Sequence, residues 1–307
     1  MQAVQPVIIL GMHRSGTGLV TQIVERNGIF MGDQQEPNHE AIFFLQLNGW
    51  LLRQLGATWD EPRNAQFHDD MVSEQLANTL EFTLKSSDAR TKYLGASKAR
   101  LYDDIAKLDF PWGWKDPRNV WTASFWLKLF PDAKIIHVYR HPVDVAASLR
   151  YREMKHAEAM NRIIDEIGLP GFLEKGYQFQ ISGRVKLLTE GFKLWEQYVS
   201  QALALEEQHP DNFLSFSYED LLSDTDRVLL DIDNHLGANG PTKTDTRLKN
   251  LFKGNRSLAF REDPELREFH RSISNHPLVV KLGYACFLFV NSAYWPDQII
   301  DMISLSN

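Results

Sequence analysis

The chain has 307 residues, of which 43% are hydrophobic and 24% are charged, and its formal net charge at pH 7 is −7. These proportions are typical of a soluble globular protein with one large domain or two small ones. The negative charge argues against a nucleic-acid-binding protein, which needs a basic face, but it leaves room for a local cationic pocket.

Signals for secretion or membrane insertion are not found in the sequence. The N-terminus has no basic region followed by a long apolar stretch, so no signal peptide is predicted. No apolar run reaches the roughly 20 residues of a membrane-spanning helix. The single cysteine, Cys286, excludes an internal disulfide and is typical of a reducing compartment. We therefore expect a cytoplasmic protein in which Cys286 is a packing residue.

The first predicted elements are a short buried strand, a glycine-containing turn and a helix. The apolar run 7–10 precedes the turn Gly11–Gly18 (GMHRSGTG), and a helix is predicted after it. Backbone N–H groups at the start of such a helix point toward one spot, where the helix dipole favours an anion. Two glycines at this spacing are a weak signal on their own, so a tight turn without a ligand stays an alternative.

One position in this turn bears on which anion it would bind. A nucleoside-triphosphate loop has Gly-x-x-x-x-Gly-Lys-Ser/Thr, but Thr17 stands where that lysine would be. The cation is Arg14, inside the turn, and its planar fork of donors suits a pair of phosphate or sulfate oxygens. The turn therefore predicts an oxyanion site that differs from the usual triphosphate site.

Helices and strands alternate along most of the chain. Helices are predicted over about 19–28, 41–55, 71–84, 120–130, 142–149 and 184–207 and from 218 onward, and strands over 7–10, 112–115, 134–140 and 212–217. The segment 151–183 and the chain beyond about 238 are predicted to be irregular. Alternation of this kind predicts an α/β fold with a parallel sheet, in which ligands bind at the carboxyl ends of the strands. The turn, Lys115, Arg140 and Tyr218 each follow a predicted strand and are expected at one edge of the sheet.

Arg140 and Ser148 form a second pattern with a chemical meaning. The arginine closes a predicted strand and the serine lies eight residues later, on the following helix. A charged fork and a neutral hydroxyl together suit a phosphate, although a surface ion pair and a solvent-facing serine would give the same pattern. Taken with the turn Gly11–Gly18, this pattern resembles the sulfotransferases that use 3′-phosphoadenosine-5′-phosphosulfate (PAPS), in their bacterial and tyrosylprotein-type branch.

The resemblance implies a three-layer P-loop-like fold, with a central parallel sheet flanked by helices, in a single sulfotransferase domain over 1–307. Within it, 151–183 would be an acceptor lid or insertion, and about 260–307 a C-terminal extension. The residues that it implies for donor binding are His13, Arg14, Ser15, Gly16, Thr17 and Gly18 at the 5′-phosphosulfate, Arg140 and Ser148 at the 3′-phosphate, Tyr218 at the nucleotide, and Arg256 as a late cation. A core tyrosine and a solvated charge run are the alternatives for Tyr218 and Arg256.

The resemblance also implies catalytic roles. Lys115, in the segment Lys-Asp-Pro-Arg, would reach the oxygen between the sulfonate and the 5′-phosphate, where a cation stabilises the charge that grows on the leaving group. Arg14 would act on the same group. The cytosolic small-molecule branch has Lys-Thr-His here and uses that histidine as its base, but Pro117 stands at the histidine position in this chain. A different base is therefore needed.

Glu40 is the first candidate for the base, because it lies eight residues before Asn48 in a segment that resembles the tyrosylprotein-type enzymes. A glutamate favoured by the dipole at a helix N-terminus is the alternative interpretation. His39 is the neighbouring candidate, and its ordinary pKa would suit the task. Glu36 and Asp116 are weaker candidates.

The predicted function is transfer of a sulfonate from PAPS to an acceptor hydroxyl of a carbohydrate, lipid or small molecule, with adenosine 3′,5′-bisphosphate as the product and with no metal. A divergent P-loop nucleotide or small-molecule kinase is one alternative, and a catalytically inactive nucleotide-binding interaction module is another. The sequence identifies neither the acceptor nor the oligomeric state. Several aromatic residues near the expected cleft are interpreted either as core or as an acceptor-stacking surface: Phe43, Phe44, Trp50, Trp59, Trp112 and Trp114.

Overall fold

A computed structural model of the protein describes residues 3–174, 182–237 and 257–286. They belong to two compact units, Met1–Ser257 and Leu258–Asn307. The first unit is built on a parallel sheet with the strand order β2-β1-β3-β4. Its strands are β1 (Val7–Leu10), β2 (Gly113–Lys115), β3 (Lys134–Tyr139) and β4 (Phe213–Ser217). The predicted parallel sheet is therefore confirmed, whereas the extent of one domain over 1–307 stays a prediction.

The strand β1 lies between β2 and β3, and its register sets the edge at which the site forms. Ile9 pairs with Lys115 of β2 and with Ile136 of β3. All four residues of β1 are buried, as expected for a parallel strand that is covered on both faces. The carboxyl ends of three strands consequently lie side by side, and each is followed by a segment that carries predicted site residues.

Helices cover both faces of this sheet. In the described part of the first unit they are α1 (Thr17–Arg26), α2 (Ile42–Gln54), α3 (Asp70–Leu84), α4 (Ser87–Lys98), α5 (Asn119–Leu129), α6 (Pro142–Glu174), α7 (Leu188–Gln208), α8 (Tyr218–Ser223) and α9 (Thr225–Leu236). Val7 and Ile9 pack in one apolar cluster with Val20 of α1 and Ile232 of α9. Trp114 of β2 lies on the opposite face, against α2 and α5. The three-layer α/β architecture is thus confirmed.

The helices α2 and α5 pack on β2 through aromatic rings. The Phe44 ring stacks on Trp114 with a centroid separation of 4.0 Å and an interplanar angle of 5°. Trp126 meets the Trp114 ring edge-on at 5.0 Å. Phe43, Phe44, Trp112 and Trp114 are all buried, so these four rings form the core and offer no acceptor-stacking surface.

The helix that follows β3 is much longer than predicted. Residues 151–183 were expected to be irregular, but helix α6 runs on to Gly168, where a non-helical backbone with a φ of 72° kinks it, and a further helical stretch ends at Glu174. Glycine adopts this left-handed conformation without a steric penalty, and Pro170 then lies in the first turn beyond the bend. Gly168 therefore does interrupt the helix, as its residue type indicates, but the chain on both sides of it is helical rather than irregular. The role of this segment as an acceptor lid stays a prediction.

The described part of the second unit is also helical, although the chain beyond about 238 was expected to be irregular. A 3₁₀ turn, Ala259–Glu262, precedes α10 (Pro264–Ile273) and α11 (Pro277–Lys281). Asp263 caps α10 by accepting hydrogen bonds from the backbone of the first turn, and Pro264 occupies the first helical position. Cys286 is exposed, so its expected packing role is wrong.

None of the helices within the described ranges combines the length and the apolar character that crossing a membrane requires.

His137 of β3 makes the stability of the sheet sensitive to acid. It is 1% exposed, its Nδ1 lies 3.2 Å from the Ser215 hydroxyl, and burial lowers its pKa to about 3. In the unfolded chain His137 becomes protonated as the pH falls through about 6.5, whereas in the folded protein it stays neutral. The free energy of unfolding therefore falls as the pH drops from about 6.5 toward about 3. We expect this residue to cost about 2 kcal/mol of unfolding free energy between about pH 7 and pH 5.

Urea unfolding of wild type and His137→Gln at these two pH values measures the effect. The acid-induced loss should be smaller in the variant by about 2 kcal/mol. Substitution of His156, an exposed histidine of α6, is the matched control and should leave the loss unchanged. Equal losses in wild type and His137→Gln would contradict the prediction.

Candidate active site

The turn between β1 and α1 has a backbone that glycine makes possible at two positions. Gly11 has a φ of 150° and Gly16 a φ of 96°. A Cβ on Gly11 would lie 2.2 Å from the Val138 carbonyl oxygen, and one on Gly16 would lie 2.3 Å from the Tyr218 ring. The turn is therefore closely packed between β3 and Tyr218, the residue that follows β4.

A cleft of about 390 Å³ opens at the carboxyl edge of the sheet, in front of this turn. The predicted site residues that line it are His13, Arg14, Gly16, Thr17, Gly18, His39, Glu40, Lys115, Arg140 and Tyr218. Ser15 is buried within the turn, and Ser148 contacts Arg14. Arg256 lies outside the described residues. The structure thus brings the predicted residues from five segments together, while their individual roles stay predictions.

The turn and the second predicted pattern are in direct contact. Arg14 Nε donates to the Ser148 hydroxyl at 2.9 Å. Arg140 donates to the Arg14 carbonyl oxygen at 3.4 Å and forms an ion pair with Asp144 at 3.1 Å. The Arg140 guanidinium also lies 4.6 Å from the centre of the Tyr218 ring, a cation–π distance. Two arginines from separate segments consequently lie next to each other at one end of the cleft.

Arg152 is a further cation of this cleft that the sequence interpretation missed. Its guanidinium lies 4.7 Å from the Trp59 ring centre and pairs with the Glu153 carboxylate at 2.9 Å. Arg152 follows Ser148 by four residues, so the two lie on the same face of α6. That spacing could have identified it, but the residue fell in a segment that was predicted to be irregular.

The electrostatics of the cleft reflect the crowding of positive charge. Burial, with a further contribution from Arg152 and Arg140, lowers the pKa of Arg14. Burial also holds the pKa of His13 well below its usual value, and four nearby cations add to that shift, Arg152 most strongly. His13 is therefore neutral near pH 7. A cleft of this kind favours an anionic ligand, because an anion relieves the repulsion among its cations.

Lys115 ends β2 and reaches into the same cleft. Its Nζ donates to the Asn38 carbonyl oxygen at 2.6 Å and to the Glu40 carboxylate, with which it forms a buried ion pair. Burial lowers the pKa of Lys115 to about 8, although the Asp116 and Glu36 carboxylates oppose this shift. The ammonium is thus charged at neutral pH and loses its charge a little above it.

A buried hydrogen-bond network fixes the segment that carries Lys115. The Asn48 amide donates to Asp116 at 3.0 Å and to Asn119 at 2.7 Å, and the Asn119 amide donates to the Ile9 carbonyl oxygen at 3.0 Å. Asp116 also pairs with the Arg118 guanidinium at 3.0 Å. Both carboxylate oxygens of Asp116 are therefore engaged, which favours a structural role for this weaker base candidate.

Glu40 and His39 reach the cleft on a tight turn that precedes α2. The Glu36 backbone N–H donates to the Glu40 carbonyl oxygen at 2.9 Å, and His39 adopts a left-handed conformation with a φ of 66°. The Glu36 carboxylate accepts hydrogen bonds from both nitrogens of Asn38. Glu40 lies before the N-cap of α2 and is tied to Lys115, so the alternative of a helix N-terminal glutamate does not describe its contacts.

Within the described ranges, no group of three or more His, Cys, Asp or Glu side chains is arranged to hold a metal ion.

The fold and the cleft define an α/β protein with a cationic cleft at the carboxyl edge of a parallel sheet. Comparison with known proteins then gives the family: the sequence model of the Sulfotransferase family matches residues 6–241, and the chain belongs to that family. The predicted membership of the sulfotransferase family is thereby confirmed.

Individual relatives are more distant. The chain is 32% identical over 144 residues to a 3-beta-hydroxysteroid sulfotransferase of Cavia porcellus, a stretch that is 44% of each chain. The chain thus spans less than half the length of this curated relative. A sulfotransferase structure from Alicyclobacillus acidocaldarius has 15% identity, a TM-score of 0.45 and coverage of 95% of this chain and 98% of its own. The sulfotransferase domain of the curacin biosynthetic pathway has 17% identity, a TM-score of 0.45 and coverage of 84% and 81%.

The contact between Gly16 and Tyr218 gives a prediction about the turn. Gly16→Ala introduces both an unfavourable φ and a clash with the Tyr218 ring, whereas Gly28→Ala introduces only the φ penalty, because Gly28 has a φ of 84° and open space around it. We expect Gly28→Ala to cost about 1–2 kcal/mol of unfolding free energy. Gly16→Ala should cost about 1–3 kcal/mol more.

Chemical denaturation of the two variants measures the difference. Gly16→Ala is also placed in a Tyr218→Ala background, where the ring is absent and the cost should fall to that of Gly28→Ala. A cost of Gly16→Ala that is the same with and without the tyrosine ring would show that the contact does not constrain the turn.

Proposed function

We propose that the protein transfers a sulfonate group from PAPS to an acceptor hydroxyl by in-line displacement. The observation that carries this proposal is the convergence of Arg14, Lys115, Arg140 and Ser148 around one cleft. These residues come from separate segments of the chain, and each has a role in binding or activating a sulfonated nucleotide. The Sulfotransferase family match supports the reaction class.

The donor binds across two anion sites. The backbone N–H groups of the turn and Arg14 take the 5′-phosphosulfate, which also meets the N-terminal end of the α1 dipole. Arg140 and Ser148 take the 3′-phosphate, and Arg152 adds a cation on the same helix face as Ser148. Tyr218 contributes a ring beside Arg140 for the nucleotide. Arg256 is kept as a late cation for the 3′-phosphate.

The role of each catalytic residue follows from the charge that develops during sulfonate transfer. Glu40 takes the proton of the acceptor hydroxyl, and the acceptor oxygen forms a bond to sulfur. The bond between sulfur and the 5′-phosphate oxygen breaks, and its electron pair stays on the phosphate. Lys115 stabilises that growing charge, and Arg14 assists, so positioning and cations supply most of the catalysis. His39 stays the alternative base, and no metal is needed.

The acceptor is a carbohydrate, a lipid or a small molecule, and the protein acts in the cytoplasm. A kinase is disfavoured because Thr17 occupies the position of the loop lysine that triphosphates require. An inactive nucleotide-binding module would leave Glu40 and His39 without a role. Variants of the two residues, alone and together, that leave every measurable activity unchanged would favour that module or another base.

Nucleotide binding without metal is the first test. Isothermal titration with adenosine 3′,5′-bisphosphate should show binding in the absence of Mg²⁺, because the phosphates are met by arginines and backbone N–H groups. ATP should bind no more tightly, with or without Mg²⁺. Preference for Mg²⁺-ATP would favour the kinase alternative.

Removal of the two catalytic cations is the second test, once a screen of labelled PAPS against glycans, lipids, phenols and peptides has found an acceptor. Arg14→Ala and Lys115→Ala should each lower kcat by about 10²–10³-fold, the loss typical of a transition-state charge stabiliser. Far-UV circular dichroism should stay unchanged. Near-wild-type turnover in either variant would remove that residue from the mechanism.

The pH dependence of turnover tests Lys115 separately. Its pKa of about 8 means that the ammonium loses its charge as the pH rises through that value. Because this pKa belongs to the donor-free protein, kcat/KM should fall above about pH 8 in wild type. Arginine stays protonated there, so in Lys115→Arg the ratio of rates at high and neutral pH should be larger than in wild type. The same high-pH decline in both proteins would assign it to another group.

A further inference from the structure

The Lys115 ammonium is already occupied before any donor binds. It donates to the Asn38 carbonyl oxygen at 2.6 Å and to the Glu40 carboxylate, and both charged side chains are buried, with Lys115 2% and Glu40 7% exposed. An ammonium has three N–H donors, so two of them are committed to the protein itself. In the proposed function the same ammonium meets the oxygen that bridges sulfonate and phosphate.

This contact differs in kind from the other ion pairs around the cleft. Arg140 pairs with Asp144 and Arg152 pairs with Glu153, but a guanidinium has five donors in a planar fork and can hold a carboxylate and an anion at once. Lys115 is a compact point charge with few donors. One N–H of the ammonium is uncommitted, but Glu40 already balances its single positive charge, so a second anion that approaches it competes with Glu40 for that charge.

We propose that Glu40 competes with the donor for Lys115, and that donor binding breaks this ion pair and thereby frees the Glu40 carboxylate to act as base. The proposal rests on the proposed function. It gives Glu40 a second role, in setting donor affinity, and it makes the base available only when the donor is present.

The surrounding contacts favour movement of the Glu40 side chain rather than of its backbone. Glu40 accepts a backbone hydrogen bond from Glu36, and Gln35 and Ala41 form an antiparallel bridge across the base of the turn. The Asn38 carbonyl oxygen is held by the same turn. The donor can therefore replace the Glu40 carboxylate while Lys115 keeps its bond to Asn38.

The experiment is a titration of Glu40→Gln with adenosine 3′,5′-bisphosphate, without Mg²⁺, at about pH 7. The amide has nearly the shape of the carboxylate but carries no charge, so it holds the ammonium less strongly. A hydrogen bond to a charged group contributes about 1.5–3 kcal/mol, so we expect the variant to bind the nucleotide about tenfold more tightly or better.

Two controls separate the contact from a general change in charge. Glu36→Gln removes one negative charge from the same turn without removing a contact to Lys115, and its gain in affinity should be smaller than about threefold. In a Lys115→Met background, Glu40→Gln should have no effect beyond that of the charge, because the competitor has lost its target.

The outcomes are distinct. An affinity gain in Glu40→Gln no larger than in Glu36→Gln, or a gain of undiminished size in the Lys115→Met background, overturns the inference while the proposed function stands. Failure of the wild-type protein to bind adenosine 3′,5′-bisphosphate overturns both. Circular dichroism checks folding, and if Glu40→Gln does not fold, Glu40→Asp serves instead: it keeps the charge, withdraws it by one methylene group, and should also bind the nucleotide more tightly than wild type.

Discussion

The crowding of positive charge at one sheet edge is the constraint on which the rest of the site depends. Arg14, Lys115, Arg140 and Arg152 line a single cleft, and like charges that share a cleft repel one another. Three of them have a carboxylate within ion-pair distance, at Glu40, Asp144 and Glu153. Arg14 differs, because among the described residues its side chain is paired with a hydroxyl and with no carboxylate. It is the cation most in need of an external anion.

Such an arrangement needs a rigid support, and the sheet supplies it. Each cation comes from a different strand end or from the helix that follows β3, so the parallel pairing of β1 with both neighbours brings them together. The Asn48 network ties Asp116 and Asn119 to the carbonyl oxygen of Ile9. The backbone next to Lys115 is therefore held in place beside the other cations of the cleft. The aromatic core on the opposite face of the sheet stabilises the same segment through Trp114.

The sequence predicted the features that depend on local pattern. The strands, the turn Gly11–Gly18 and Arg140 are each marked by a few neighbouring residues. In the structure the strands form one parallel sheet, and the turn and Arg140 lie at its carboxyl edge. Arg152 was missed because Gly168 and Pro170 made its segment look irregular. The Lys115–Glu40 pair links residues far apart in the chain, and neither residue carries a sign of its partner. The helix α10, by contrast, carried an aspartate cap and a first-turn proline that could have predicted it.

The carboxylates that offset the repulsion among the cations of the donor-free cleft also lower the affinity of the cleft for an anionic donor. A sulfonated nucleotide with two phosphate groups carries more negative charge than the single unbalanced cation of the described cleft can match, because His13 is neutral and three of the four cations are paired. Tight binding therefore requires either that a carboxylate be displaced or that a further cation approach. Displacement is cheapest at Lys115, since each arginine can hold a carboxylate and an anion at once through its five donors, whereas the compact Lys115 ammonium has only one N–H left. In the proposed function, Arg256 is the late cation that would supply the second route.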